Sequence, residues 1–373
     1  MLGIVRRRSD VADVFDKVLA GERITPADGL RLLACRDLAV LGAMANVVRE
    51  RLNGDRAYYV INRHINYSNI CVNACRFCAF SRSPDEHGAY AMSLDEIFRV
   101  AHEALAEPVT EFHIVGGLHP ELPFEFYEEM LRGLRAIAPG VHLQAFTAVE
   151  IAHIAALGGL SVRETLVRLR EAGLGSLPGG GAEVFAPELR RELCPTKLPG
   201  DGWLDVMRTA HRLGIRSNAT MLYGHVETDE QIVEHLDRVR ALQDESAGFL
   251  AFIPLAFHPA NTALEALRPT TGRRDLQIMA AARAYLDNVP HIKAFWIMLG
   301  LKLAQVALSF GADDLDGTVV EERITHAAGA TTPQALTVDE IRALIEEAGR
   351  TAVERNTLYE LVDRGQRTSH VPC

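Results

Sequence analysis

Positive charge is in short supply in this chain. Its 373 residues carry 39 Lys and Arg against 49 Asp and Glu, a formal net charge of −10. Nucleic-acid binding wants a basic face, so no nucleic-acid partner is expected. Long hydrophobic runs are missing too. The most apolar stretch, "AFWIMLGLKLAQVALSF", is interrupted by Lys302 and Gln305. It falls short of the ~18 apolar residues a membrane span needs. The opening "MLGIVRRRSDVADVFDKV" has basic residues without an apolar run behind them and does not read as a signal peptide. No G-K-[ST] occurs in the chain, so the glycine triplet 179–181 is not a P-loop. The acidic run Asp313, Asp314, Asp316 lacks the spacing of a calcium loop and reads as a loop that packs or hydrogen-bonds. The expectation is a soluble, cytoplasmic protein with no membrane partner.

Cysteine is scarce as well, with six in the chain. Three of them, Cys71, Cys75 and Cys78, fall within "CVNACRFC". In a reducing compartment such clustering favours metal or catalytic use over disulfides. Cys35, Cys194 and Cys373 read as inert small apolar residues.

What the chain has is a 48% apolar content, enough for a large core. Residues 10–53 show helical spacing, with Thr25 as a helix cap before Pro26. From residue 57 short β-prone runs alternate with amphipathic stretches. The runs are "AYYVINRHI", "EFHIVGG", "VHLQAFTA", "LGSLPGG", "IRSNATML", "GFLAFIPLAF", "HIKAFWIM" and "VALSFGAD". Eight strands alternating with helices predict an α/β fold, a (β/α)8 TIM-type barrel. The boundaries expected are a helical segment 1–56, the barrel 57–330 and a helical segment 331–373. The last segment would hold one helix over "TVDEIRALIEEAGRTAVERN", with Thr337 and Glu340 as its capping box. Function in such a barrel sits at the C-terminal strand ends. The patches "HINYSNICVNAC", "GGLHPE", "TAVE", "GGGAE", "YGHVE", "FHPANT" and "GADDLDGT" recur there.

Three thiolates on one tight loop admit two metal readings. A structural zinc site wants four ligands, often as two C-x2-C pairs, and no second pair exists; His64 would have to complete the set. An iron–sulfur cube normally takes four cysteines, and three would leave one iron open. An open position is a mark of chemistry, by the logic that separates catalytic from structural zinc.

"CVNACRFC" resembles the C-x3-C-x2-C signature of the radical S-adenosylmethionine (SAM) enzymes, whose barrel matches the alternation above. The resemblance implies a [4Fe–4S] cluster on Cys71, Cys75 and Cys78. SAM is then bound at the open iron and cleaved to a 5′-deoxyadenosyl radical. It makes Phe77 an adenine neighbour and "VGG", Val115, Gly116 and Gly117, the glycine motif at the SAM amino group. Those glycines read equally well as the end of a strand. Further segments, "VTEFHIVGGLHPELPFEFYEEMLRGL", "SLPGGGAEVF", "SNATMLYGHVET" and "FGADDLDGTVVEE" among them, resemble the aminofutalosine synthases over roughly residues 57–330. Cyclic dehypoxanthinylfutalosine synthase and the deazaflavin synthase subunits share this layout.

For the aminofutalosine synthases the implied reaction belongs to the futalosine route to menaquinone. The adenosyl radical adds to 3-[(1-carboxyvinyl)oxy]benzoate, and rearrangement with loss of a carboxylate gives aminodeoxyfutalosine. An electron donor of flavodoxin or ferredoxin type is implied as partner. A dicarboxylate substrate needs donors, and Arg82 is the first candidate, although most arginines are exposed. His119 and His258 are candidates for carboxylate binding or proton transfer. Thr147 and Tyr223 are candidates for the lining, and Glu183 for the ribose hydroxyls or the SAM ammonium.

Overall fold

The computed structural model describes residues 9–364, so Cys373 lies outside the described residues. Three helices come first: α1 (Ala12–Ala20), α2 (Pro26–Ala34) and α3 (Leu38–Asn53). The cap expected at Thr25 is present: its hydroxyl accepts from Asp28 N, and the Asp28 carboxylate accepts from Thr25 N. Asp28 also takes the Lys17 ammonium at 2.8 Å, which ties α2 to α1. The helices pack closely on the main body, since a Cβ at Gly42 would meet the Phe310 ring at 3.0 Å.

The run 57–65, expected as one strand, is two. β1 (Arg56–Val60) and β2 (Asn62–Ile65) belong to different sheets. Asn62 is the pivot. Its Oδ1 accepts from Val319 N at 2.8 Å, and its own N–H donates to Thr318 Oγ1 at 3.0 Å. These bonds turn the backbone out of one ladder and into the next.

β2 opens a seven-stranded, all-parallel sheet. Its other members are β3 (Glu111–Ile114), β4 (His142–Ala145), β5 (Ser176–Leu177), β6 (Arg216–Tyr223), β7 (Phe249–Ala256) and β8 (His291–Ile292), in that order. The connections hold α4 (Leu94–Ala104), α5 (Phe124–Ile137), α6 (Ala148–Leu157) and α7 (Val162–Ala172). They continue with α8 (Pro187–Leu193), α9 (Gly200–Arg212), α10 (Asp229–Ser246) and α11 (Gly272–Tyr285). Several helices start on a Ser or Thr with Glu or Gln three residues on, as at Ser93, Thr147, Ser161 and Thr228. That reciprocal cap satisfies two of the free N–H groups at each helix start.

The eighth stave departs from expectation. "VALSFGAD" is not a strand: α13 (Leu301–Ala307) covers its start, after a single helical turn α12 (Trp296–Leu299). A short apolar run suits a buried helix as well as a strand, and here packing decides. The strand comes later, as β9 (Asp314–Gly317). Single bridges Lys293↔Asp314 and Arg63↔Val320 join this segment to the two edges of the seven-stranded sheet. The ring of an α/β TIM-type barrel is thereby closed. β9 also pairs with β1, whose other neighbour is β10 (Thr351–Glu354). The C-terminal run is therefore not one helix. Past the short α14 (Ile324–Ala327), α15 (Val338–Glu347) starts on the expected Thr337–Glu340 box, and the chain turns at Gly349 into β10.

Among the described residues no helix is long and apolar enough to cross a membrane.

Candidate active site

The C-terminal strand ends surround a cavity of about 320 Å3. The loop after β2 forms one wall and carries Cys71, Cys75 and Cys78 to it. Backbone bonds hold this loop: Cys71 N donates to Arg82 O at 3.0 Å, Val72 N to Leu118 O at 3.0 Å, and Arg76 N to Leu193 O at 2.8 Å. Cys78 Sγ accepts from Ser81 N at 3.4 Å.

Gly116 and Gly117 lie against the same loop. A Cβ at Gly116 would fall 2.7 Å from the Tyr67 ring, and one at Gly117 only 2.2 Å from the Ile70 carbonyl oxygen. Their missing side chains thus serve the seating of the cysteine loop. Gly117 N donates to Ser68 O at 2.7 Å.

Glu150 anchors the assembly and was not legible as a site residue. It is 2% exposed and accepts from Tyr67 Oη at 2.8 Å, Gly116 N at 3.0 Å and Thr147 N at 2.7 Å. Burial pushes its carboxyl above the ordinary value, against the pull of these donors.

Most of the expected residues converge. Phe77, Val115, Gly116, Gly117, Thr147, Glu183 and His258 line the cavity with the three cysteines. Glu183 has a left-handed backbone (φ 51°), as do Phe146 (φ 61°), just before Thr147, and Asp316 (φ 69°). Strained backbone of this kind collects at functional sites. Glu183 is bound by Lys197, whose Nζ stands 2.5 Å from it and 5.3 Å over the Phe77 ring. Lys197 was missed by sequence reasoning.

Three expected residues are corrected. Arg82 turns away from the cavity: its guanidinium donates to Ala79 O at 2.9 Å and Ser81 O at 2.8 Å, clamping the cysteine loop from behind. His119 is spent locally, its Nδ1 accepting from Glu121 N and Leu122 N. Tyr223 is 1% exposed and donates to Asp275 at 3.0 Å, outside the cavity wall. In each case backbone or carboxylate partners nearby outcompete the mouth.

The acidic run, expected as a loop that packs or hydrogen-bonds within the mouth, is bonded internally, but Asp314 and Asp316 stand on strand β9 and only Asp316 of the three lines the cavity. Asp313 takes Ile292 N and the His291 ring, Asp314 pairs with Arg355 at 2.6 Å, and Asp316 reaches the cavity and pairs with Lys293 at 3.1 Å. His64 and His113 also line the cavity. The period-2 alternation of "NRHI" and "EFHI" could have revealed them, since 62, 64 and 111, 113 share the inner face.

Cys194 is 2% exposed and in hydrogen-bond contact with Cys75. Among the described residues no group of three His, Cys, Asp or Glu side chains closes as a single-ion site. A cube is a larger body and spans thiolates set wider apart than one ion does. Three cysteines on one loop, facing a roomy cavity with an N–H donor on sulfur, fit such a group.

Across the mouth lies α14, with Glu322 and Thr325 on the cavity wall. Glu322 holds the His326 ring, whose pKa is pushed up to about 9 by that carboxylate. A raised folded pKa contributes stability that is complete below the unfolded value near ~6.5 and lost as pH rises through about 9. The unfolding free energy of the wild type is therefore expected to exceed that of His326→Gln at pH 6, by on the order of 1–2 kcal/mol. The difference should vanish by pH 10. A difference independent of pH would rule out this ion pair as its source.

Comparison with known proteins gives a consistent picture. Residues 65–239 match the radical SAM superfamily and residues 246–368 the CofH/MqnC C-terminal region. The aminodeoxyfutalosine synthase of Thermus thermophilus is 47% identical over 94% of this chain and 95% of that protein. The 5-amino-6-(D-ribitylamino)uracil–L-tyrosine 4-hydroxyphenyl transferase of Methanoculleus marisnigri is 43% identical over 94% of this chain and 97% of that protein. In structure, methylornithine synthase aligns with a TM-score of 0.72 at 20% identity, covering 91% of this chain and 97% of that one, which bears on the fold alone.

Proposed function

The chain belongs to the radical SAM superfamily, among the aminodeoxyfutalosine synthases and the 4-hydroxyphenyl transferases similar to them, and on that premise we propose that it forms aminodeoxyfutalosine from SAM and 3-[(1-carboxyvinyl)oxy]benzoate. The observation that carries the choice of acceptor is the 47% identity over nearly the full length of both chains. In this reading Cys71, Cys75 and Cys78 hold a [4Fe–4S] cluster, which when bound supplies the electron that cleaves the SAM sulfonium. A flavodoxin- or ferredoxin-type partner delivers that electron.

The protein's own part is to bind, orient and exclude water. A primary carbon radical attacks nearby C–H bonds, so the acceptor must be held close and dry. The walls that do this are apolar: Leu222, Ile253, Leu255, Phe257, Phe295 and Met298 all face the cavity. Phe77 packs against the adenine, with the Lys197 ammonium beside its ring. Glu183 takes the ribose hydroxyls or the SAM ammonium, its charge balanced by Lys197. Thr147 keeps a donor hydrogen, because as a helix cap its hydroxyl only accepts, from Glu150 N.

The rival reading has its own support, since the transferase from Methanoculleus marisnigri is almost as similar. One assay separates them. Reduced, reconstituted enzyme is incubated with SAM and either the enolpyruvyl ether or tyrosine plus 5-amino-6-(D-ribitylamino)uracil. The expected product is an adenosyl adduct of the ether. Free 5′-deoxyadenosine without that adduct would sink the proposal.

A further inference from the structure

The question left by this reading is how the barrel accepts a dianion. Anions entering an apolar cavity need N–H donors or cations. Among the described residues lining the cavity, Lys197 is the one Lys or Arg, and Glu183 already holds it. His258 gives Nε2 to the Met298 carbonyl at 2.9 Å. Two imidazoles are left.

His64 on β2 and His113 on β3 lie directly in register. Their rings stack 4.5 Å apart and 14° from parallel. His64 is 6% exposed, and its Nε2 has no hydrogen-bond partner. The His113 side chain keeps 21% of its surface open, on a strand whose inner face meets the cavity. Behind it stands Glu111, 1% exposed, with Oε1 3.8 Å from His113 Nδ1. Burial would raise the Glu111 carboxyl, but the His113 ring and the Lys293 ammonium outweigh it and hold the group well below the usual range. An ionised carboxylate thus sits behind an imidazole that borders the cavity.

We propose that the stacked His64–His113 pair seats the benzoate carboxylate of the acceptor, with Glu111 orienting His113 from behind. The inference rests on the function proposed above. Depth selects this carboxylate. His113 lies two strand residues, about 6.6 Å, below Val115. The vinyl carbon must meet SAM near the cysteine loop, so the far end of the aryl ring reaches down the barrel. SAM's own carboxylate stays at the mouth.

The charged and titratable groups around the pair are Arg63, Glu111 and Lys293 with its partner Asp316, and His142 pairs in register with Glu111. His113 has uncharged Gln144 on its other side. Burial first, then His113, Lys293 and Arg63, keep His64 well below the ordinary histidine value. A carboxylate placed beside it favours the protonated ring. Binding then takes up a proton, so affinity falls as pH rises from the free-enzyme value of His64, well below ~6.5, towards its higher value in the complex.

The test is calorimetric titration of reconstituted enzyme with the ether and with its benzoate methyl ester. His113→Phe keeps an aromatic stack but removes the donors. It should weaken the ether roughly 10–100-fold, the range of a hydrogen bond to a charged group. The ester, SAM affinity and cluster absorbance should be unchanged. His64→Gln should bind the ether with a flattened pH dependence, since the ring that takes up the proton is gone. Unchanged ether affinity in both variants overturns the subsite. A loss confined to SAM assigns the pair to SAM's carboxylate and overturns it too. A wild type that fails to bind the ether at all overturns the functional reading, and this occupant with it.

Discussion

Cys75→Ala protein is expected to come out of anaerobic reconstitution colourless, with iron far below the four per chain of a cube. Its SAM cleavage should fall to background. Cys75 lies at the centre of the loop and contributes one of three thiols, so no neighbour on that loop can replace it. The structure sharpens the control. Cys194 touches Cys75 from the end of α8, where among the described residues it is the cysteine placed to compete as a fourth ligand. Cys194→Ala is expected to keep both iron and SAM cleavage, because in the proposed reading SAM, not a fourth thiolate, occupies the open iron. Loss of iron in that variant would mean a four-thiolate cube with no open position. Radical SAM chemistry at this site would then be denied.

Asp314→Ala should be the most destabilising single change away from the cavity. Asp314 and Arg355 are both fully buried and paired at 2.6 Å, and the Tyr359 ring lies 4.2 Å from the guanidinium. Removing the carboxylate strands a buried cation, which costs about 3–5 kcal/mol. In a chain of this size that lowers Tm by roughly 4–6 °C. The double variant Asp314→Leu, Arg355→Met should regain much of the loss, since neither charge is left alone. A calorimetric shift of under about 1 °C in the single variant would show that β9 and β10 do not depend on this pair for their docking. Tyr359 stacks on His291 at 3.6 Å in the same layer, so the pair holds the C-terminal strap against the barrel.

The parts of this molecule readable from the sequence are those where chemistry is local. Eight residues place three cysteines on one loop, and nothing distant is needed to see it. The helix cap at Thr25 and the capping box at Thr337 were legible because cap and partner lie three residues apart. Strands β3 to β8 were legible as short β-prone runs between helices, whereas β2 was read together with β1 as one strand. Where the same signal is ambiguous, the reading slipped. "VALSFGAD" is apolar enough for a strand, yet packing makes its start a helix and moves the strand to Asp314–Gly317.

Candidate residues divide along the same line. Arg82, His119 and Tyr223 stand close to predicted strand ends, and that position alone suggested a role. Their orientation depends on bonds to Ala79, Ser81, Glu121, Leu122 and Asp275, partners that only the folded chain identifies. Glu150, Lys197 and His113 were hidden for the converse reason. Each becomes part of the site through residues distant in sequence: Tyr67 for Glu150, Phe77 for Lys197, His64 for His113.

By itself, then, the sequence determined the three-cysteine loop, the parallel α/β barrel and, through its resemblance to known enzymes, the class of chemistry. The tertiary structure decided which side chains reach the cavity, that β1 and β2 part at Asn62, and that the ring closes through Asp314–Val320. The reason is physical. Ligand spacing and helix caps are short-range properties of the chain, whereas burial, stacking and ion pairing are set by which distant segments meet.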